Sequence, residues 1–193
     1  MARYIKVKLK TRQKLGLAPE EASIRRKNQV KRRKSAYGER LDQKQKLKII
    51  YGVMEHQMKR YVREAFNGQG DPQVDLLQKL EMRLDNVSYR LGYGKTREQA
   101  RQLVNHGHIL VDDKKVDIPS YIMKIGQVVS LRKKTLDKRI FSEQTEVNRK
   151  ALTPVSYLEY LKNSGRFLSL PAKEDLAQNV DISKVMEFYR KLI

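Results

Sequence analysis

Cysteine is absent from this chain of 193 residues, and that absence excludes several kinds of site. Disulfide bonds, cysteine-ligated zinc, iron–sulfur clusters and thiol catalysis all need a cysteine side chain. Histidine is scarce as well, with only His56, His106 and His108, so a histidine-based metal centre is not expected. The sequence therefore predicts neither a metal site nor any other cofactor.

Long apolar runs are also missing. No stretch approaches the roughly 20 apolar residues that are needed to cross a membrane. The first ten residues, MARYIKVKLK, lack the continuous apolar core of a signal peptide. We therefore expect a protein of the cytosol or of an organelle matrix.

No catalytic motif is recognisable in the sequence. The segment GYGKT at residues 92–96 lacks the spacing of a phosphate-binding loop and follows a predicted helix instead of a strand. The adjacent carboxylates of Asp112 and Asp113 fall in a predicted turn, where solvated acidic residues are the ordinary case. We therefore predict that the chain is not an enzyme.

Positive charge is what the sequence has in excess. Lysine and arginine number 42 against 22 acidic residues, which gives a formal net charge of +20. Such side chains bind nucleic acids by displacing counterions from phosphates, so nucleic acid is the favoured partner. An anionic membrane surface or an acidic partner is the alternative. Residues 24–34, IRRKNQVKRRK, contain no acid at all, and we expect them to order only when a partner neutralises them.

Helical periodicity is clear in the first half of the chain and at its end. It predicts helices over residues 39–50 and 54–66, followed by one long helix from Pro72 to Gly92 whose start is marked by the Asp71-Pro72 pair. Residues 135–147 are polar and expected to be helical or linker-like. The apolar residues of a predicted helix within 180–192 are spaced to pack on the helices around residues 47–66.

A shorter helix and a small sheet are predicted in the middle of the chain. Thr96 and Gln99 form a capping box before a helix over residues 97–106, and Gly107 is a natural left-handed end for it. Strands follow at residues 108–111 and 127–132, with a turn at residues 112–115.

Together these elements predict an α+β fold. A mainly helical domain would be built from both chain ends, and a small α/β module of two helices and an antiparallel sheet would be inserted in it. The expected divisions are a basic arm at residues 1–34, the first part of the helical domain at 35–82, the module at 83–134, and a linker with the return to the helical domain at 135–193.

Two arginines of the short helix share one face. Arg97 and Arg101 are four residues apart, and Asn105 and then His108 continue the same face. Arg97 lies in the first turn, where the helix dipole disfavours a cation, and helix N-termini bind phosphate. This placement indicates that an anion is expected there, and the alternative is an ordinary charged outer face.

Several long segments resemble one known family. These are RLDNVSYRLGYGKTREQARQLVNHGHILVDDKKVDIPSY (residues 83–121), SAYGERLDQKQKLKIIYGV (35–53), VMEFYRK (185–191), the initial MARY and the LP-x-x-x-DL segment at 170–176. In this order they resemble small-subunit ribosomal protein S4 of the bacterial and organellar type. The chain departs from many relatives in lacking the cysteines that bind zinc or a cluster near the N-terminus, and in lacking a Pro-Gly-x-His-Gly segment.

The resemblance implies a structural protein of the small ribosomal subunit. Proteins of this family bind the 5′ region of small-subunit ribosomal RNA at a junction of helices and nucleate assembly of the subunit body. They neighbour ribosomal proteins S3 and S5 around the messenger RNA entry channel, and contribute to translational accuracy through S5. Some members repress translation of their own messenger. The implied location is the cytoplasmic ribosome, with an organelle matrix as the alternative.

The resemblance also implies which residues contact RNA. In the module, now interpreted as an S4-type RNA-binding module, the RNA face would carry Arg83, Arg97, Arg101, Gln102 and His106, with Asp85 and Asn86 holding the helix pair in register. The basic positions near the messenger entry would be Lys31, Arg32, Arg33 and Lys34. The basic helix against ribosomal RNA would carry Lys44, Lys46 and Lys48.

A second class of function remains open at this point. Pseudouridine synthases, tyrosyl-transfer-RNA synthetases and a heat-shock RNA chaperone carry a similar small module, so an RNA-modifying enzyme or a chaperone is the alternative. An enzyme would need a separate catalytic domain, and the segments that flank the module are too short for one.

Overall fold

A computed structural model of the chain describes residues 9–17, 35–136, 139–172, 179–190 and 192. The described residues form two compact units, one within residues 74–177 and the other drawn from residues 4–73 and 178–193. The fold is α+β. The helical unit is made from both ends of the chain, and the unit that lies between them in sequence contains the sheet. This arrangement confirms the predicted fold class. The predicted contacts Lys31, Arg32, Arg33 and Lys34 lie outside the described residues.

The described residues form helices and short strands. The helices are α1 (Leu9–Lys14), α2 (Ala36–Tyr51), α3 (Glu55–Phe66), α4 (Pro72–Glu81), α5 (Leu84–Arg90), α6 (Arg97–Asn105), α7 (Lys133–Leu136), α8 (Arg139–Ala151) and α9 (Ile182–Arg190). The strands are β1 (Ile109–Val111), β2 (Lys114–Lys115), β3 (Val128–Leu131), β4 (Leu158–Tyr160) and β5 (Ser164–Phe167).

The helical unit brings α2, α3 and α9 together. Ser35 caps α2 by accepting a hydrogen bond from the Gly38 amide at 3.2 Å, and Gly52 ends the helix in the left-handed region at φ 60°. Helix α9 packs on α2 and α3, as the spacing of its apolar residues predicted. Leu47 and Val185 are both fully buried there.

A single carboxylate links all three of these helices. Glu55 at the start of α3 lies 2.6 Å from the Lys48 ammonium and 3.2 Å from that of Lys44, both on α2. Tyr189 of α9 donates its hydroxyl hydrogen to the same carboxylate at 2.9 Å. The ammonium group of the buried Lys44 also lies 4.4 Å from the centre of the Phe188 ring. It therefore makes an ion pair and a cation–π contact within the helical unit.

The prediction of one continuous helix from Pro72 to Gly92 is wrong. The chain leaves the helical conformation at Arg83, whose ψ is 139°, and Arg83 there pairs with Ile122 as an isolated bridge. The Met82 carbonyl accepts a hydrogen bond from Met123 at 2.9 Å. The apolar repeat runs through the break because residues on both sides of it are buried, among them Leu80 of α4 and Leu84 of α5. The apolar periodicity indicated which residues are buried, and it did not indicate that the helix is continuous.

The sheet of the second unit is antiparallel throughout, with the strand order β2-β1-β3-β5-β4. Strands β1 and β3 confirm the two predicted ones, and β2 lies within residues 112–115, the segment predicted as a turn. Asp112 and Asp113 make the two-residue turn between β1 and β2 with φ of 48° and 62°, the left-handed conformation that such turns need. The hairpin of β4 and β5 was not predicted.

The core of this unit lies between the sheet and helices α5 and α6. It is built from fully buried side chains on every one of these layers, among them Leu84, Leu91, Ile109, Val129 and Phe167. Outside the core, Arg149 of α8 donates Nε to the Leu91 carbonyl at 2.8 Å and Nη1 to the Leu161 carbonyl at 2.7 Å. The arginine thereby ties the end of α5 to the β4–β5 turn.

The GYGKT segment has a packing role. A Cβ atom added to Gly94 would lie 2.6 Å from the Ala100 amide nitrogen and 3.0 Å from its Cα, so the loop passes directly against the first turns of α6. Only glycine permits this approach without displacing the backbone.

We expect Gly94→Ala to lower the free energy of unfolding by about 1–3 kcal/mol, because the clash is with backbone atoms that cannot move aside independently. The measurement is urea denaturation followed by circular dichroism. Gly70→Ala is the control, since Gly70 is exposed in a loop and its φ is not positive. Equal effects of the two substitutions would show that the close approach does not limit this position.

The Glu55 carboxylate predicts a pH-dependent stability. Partial burial alone raises the pKa of this carboxyl, but the hydrogen bonds from Lys48 and Tyr189 and the neighbouring ammonium charges outweigh it, so its pKa lies below the ordinary 4.5. A lowered pKa stabilises the fold at pH values above the ordinary pKa, and this stabilisation is lost as the pH falls through the lowered one.

We therefore expect Glu55→Gln to reduce the free energy of unfolding by about 0.5–1 kcal/mol at pH 7, with the difference from the unchanged protein shrinking below about pH 4.5. Thermal unfolding between pH 3 and pH 7 measures it. Glu64→Gln on the same helix is the control, because Glu64 is exposed and its ion pair with Arg60 at 3.6 Å is exposed as well. A difference that is constant with pH would contradict the role of the charge.

Candidate nucleic-acid interface

Helix α6 begins and ends as its sequence predicted. The Thr96 hydroxyl accepts a hydrogen bond from the Gln99 amide at 3.2 Å. The Gln99 side chain reaches back to the Lys95 amide at 2.8 Å, one residue before the position that a capping box normally serves. Gly107 follows the helix with φ 67°. The predicted apolar face is buried through Ala100, Leu103 and Val104.

Arg97 is held against α5 by two contacts. Its Nε donates to the Asn86 side-chain oxygen at 2.7 Å, and the carbon of its guanidinium lies 4.6 Å from the centre of the Tyr89 ring. The residue as a whole is half-buried. The arginine in the first turn of α6 therefore has a defined orientation.

Arg101, one turn later, is in a different environment. It is 6% exposed, and its Nη1 lies 3.3 Å from an Asp85 oxygen. The same oxygen is 2.7 Å from Nη2 of Arg83, and the other Asp85 oxygen accepts from the Arg83 Nε at 3.1 Å. Asp85 thus joins the start of α5 to α6 through two arginines. Arg83 does not share the surface predicted for it, because its side chain is fully buried.

Glu81 is a second buried carboxylate beside Asp85. It is fully buried and accepts hydrogen bonds from the Tyr157 hydroxyl at 2.7 Å, from Nη2 of Arg90 at 3.1 Å and from the Asn86 amide nitrogen. These contacts define one arginine–carboxylate cluster: Glu81, Arg83, Asp85, Asn86, Arg90, Arg97 and Arg101. Within the cluster, arginines outnumber carboxylates by four to two.

Asp85 and Asn86, which the family resemblance implies hold the helix pair in register, both join α5 to α6. The roles of Glu81 and Arg90 were not predicted. Their signal was present in the sequence, since both charged residues lie within the apolar repeat that was interpreted as one helix. A charged residue at a core position needs a partner of opposite sign nearby.

Further basic residues gather at the end of α6. Gln102 and His106 are exposed, as a surface role requires. The Lys115 side chain lies over Gly107, and the Arg132 amide donates to the His108 carbonyl at 2.8 Å. Lys115, Arg132, Lys133 and Lys134 are exposed, and the sequence analysis assigned no role to any of them.

The lysines predicted on α2 have mixed environments. Lys44 and Lys48 are directed to Glu55, and their side chains are only 8% and 14% exposed. Lys46 is half-buried. The structure therefore gives Lys44 and Lys48 a role within the helical unit itself, which a basic pattern in the sequence does not reveal.

Across residues 9–17, 35–136, 139–172, 179–190 and 192, no group of three or more histidine or acidic side chains is arranged to hold a metal ion. In the same part of the chain, none of the helices combines the length and apolarity that spanning a bilayer requires.

Comparison with known proteins matches two family models to consecutive parts of residues 2–129. Residues 2–81 match the family model of the ribosomal protein S4/S9 N-terminal domain, and residues 82–129 match the S4 domain. The junction between these two matches, at residues 81 and 82, falls in the break between α4 and α5.

Curated relatives cover most or all of the chain. The small ribosomal subunit protein uS4 of Thermotoga petrophila is 45% identical over 157 residues, which are 80% of this chain and 75% of the relative. The uS4 proteins of Azobacteroides pseudotrichonymphae and Chloroflexus aurantiacus are 40% and 38% identical, and each aligns over 99% of this chain and 100% of its own length.

These relatives are ribosomal proteins and not enzymes, which confirms the expectation that the chain is not an enzyme. The two family matches and the full-length relatives also confirm the resemblance noted in the sequence. The chain belongs to the uS4 family of small-ribosomal-subunit proteins and carries the S4 RNA-binding domain.

Proposed function

We propose that this protein binds the 5′ region of small-subunit ribosomal RNA directly, at a junction of helices, and nucleates assembly of the subunit body. The observation that carries the proposal is the arginine–carboxylate cluster, at whose edge the half-buried Arg97 is held in a defined orientation by Asn86. A rigid cationic site of this kind suits an RNA phosphate at a fixed position on a folded RNA.

Recognition in this proposal is by shape. Double-helical RNA offers phosphates and ribose hydroxyls more readily than base edges, so a rigid set of donors recognises how strands are arranged at a junction. Arg97, Gln102 and His106 of α6 would contact the backbone, and the exposed Lys115 and Arg132 extend the same end of the helix. Arg101 would act mainly by supporting this surface, because Asp85 binds it inside the module.

The remaining assignments follow from family membership. We include contact with ribosomal proteins S3 and S5, a position of Lys31, Arg32, Arg33 and Lys34 beside messenger RNA at the entry channel, and a contribution to translational accuracy. Lys46 is the α2 lysine that we keep as an RNA contact. The protein would act in the ribosome of the cytoplasm, with an organelle matrix as the alternative compartment.

Arg97→Ala is expected to weaken binding to a junction RNA roughly tenfold, because it removes a charge-assisted contact to phosphate. The slope of affinity against salt should also fall by up to about one counterion. Filter binding at several salt concentrations measures both quantities. Arg166→Ala removes the same charge from an exposed position on β5, and serves as the matched control.

The shape proposal makes a separate prediction about RNA structure. At physiological salt, a folded junction should bind at least tenfold more tightly than a perfect duplex of equal length, because only the junction presents phosphates from several helices at once. Competition between the two RNAs for the full chain measures the ratio. A ratio near one would reduce the interaction to general attraction between charges.

A further inference from the structure

We propose that Asn86 and Glu81 are positioning residues for RNA binding, which act through Arg97 and do not touch RNA themselves. The proposal rests on the proposed function of Arg97 as a phosphate contact. Both residues are at least 98% buried, Glu81 at 0% and Asn86 at 2% exposure, so neither has surface to offer an RNA.

The orientation of the Asn86 amide is fixed by its neighbours. Its nitrogen faces the Glu81 carbonyl oxygen at 3.1 Å and the Glu81 carboxylate. Both groups can only accept hydrogen bonds, so the nitrogen must lie on that side. The amide oxygen is therefore turned toward α6, where it accepts from the Arg97 Nε at 2.7 Å.

Glu81 is fixed in its turn. The Tyr157 hydroxyl and the Arg90 guanidinium both donate to its carboxylate, from 2.7 Å and 3.1 Å. The carboxylate is closed off from water and cannot rotate without breaking these bonds. A chain of hydrogen bonds thus runs from the interior of the unit to the guanidinium at its surface.

The chemistry of the last step is what distinguishes Arg97 from Arg101. Arg101 is bound by the carboxylate of Asp85, which carries a negative charge of its own. The Nε of Arg97 is bound by an amide, which holds the guanidinium in place without neutralising it. With Nε on Asn86 and one face over Tyr89, the guanidinium is oriented before RNA arrives. Orientation in advance removes part of the ordering cost of binding.

A double-mutant cycle tests this path with the full chain and a junction RNA. Arg97→Ala, Asn86→Ala and the double variant are compared with the unchanged protein by filter binding, at a temperature at which circular dichroism shows every variant folded. We expect Arg97→Ala to weaken binding about tenfold and Asn86→Ala about fivefold, with the double variant no weaker than Arg97→Ala alone. The salt slope of Asn86→Ala should stay unchanged, because no phosphate contact is removed.

Asn148→Ala is the matched control for loss of a buried amide. Asn148 is 8% exposed in the same unit, and its side chain donates to the Gly92 carbonyl at 3.0 Å. A merely structural role for Asn86 predicts that both asparagine variants lose stability and that neither changes RNA affinity. Positioning predicts a loss of affinity for Asn86→Ala alone.

The outcomes separate this inference from the proposed function. If Arg97→Ala weakens binding while Asn86→Ala does not, or if their effects multiply, the positioning path is wrong and the RNA contact stands. If Arg97→Ala leaves affinity unchanged, both proposals fail together.

A surface variant covers the case in which Asn86→Ala does not fold. Arg97→Lys keeps the charge but loses the Nε donor, so an oriented guanidinium predicts about fivefold weaker binding with the same salt slope. Binding equal to that of the unchanged protein would show that charge alone suffices, and would overturn the inference.

Discussion

Two buried carboxylates, Glu81 and Asp85, are the constraint on which the rest of the S4 domain depends. A carboxylate in the interior is stable only when donors satisfy it, and here the donors come from three arginines, an asparagine and a tyrosine. The partners belong to α5, α6 and the segment before β4. Each bond that satisfies a carboxylate therefore also fixes one of these elements relative to the others, and the surface of α6 inherits its geometry from the interior.

The helical unit uses acid in the same way. The chain has 42 basic and 22 acidic residues, so one carboxylate can have several cations as neighbours. Glu55 binds two lysines and a tyrosine from two neighbouring helices. The few buried or half-buried acidic residues thus connect neighbouring elements of the fold. Basic residues close to these carboxylates form ion pairs within the fold, as Lys44, Lys48 and Arg83 do.

Local signals in the sequence were sufficient for the elements whose ends are set by short-range chemistry. The Thr96 cap, the left-handed Gly107 and the apolar face of α6 are determined within a few residues, and each was predicted correctly. The break at Arg83 and the β4–β5 hairpin depend on partners far along the chain, at Ile122 and in β3. No periodicity within either segment reports such a partner.

The candidate site shows the same limit more sharply. The spacing correctly predicted that Arg97 and Arg101 share one face. It could not predict that Arg97 is half-buried, whereas Arg101, one turn later, is buried and bound by a carboxylate. The deciding groups, Asn86 and Asp85, are adjacent in sequence and lie on another helix.

That adjacency suggests how one face can serve two purposes. The aspartate binds its arginine as part of the frame, and the asparagine beside it holds the other arginine with its charge intact. The supporting groups thus differ in charge, a carboxylate for Arg101 and a neutral amide for Arg97. Under the function proposed above, selectivity for a particular RNA shape would depend less on how many cations there are than on which of them neutral groups hold in a fixed orientation.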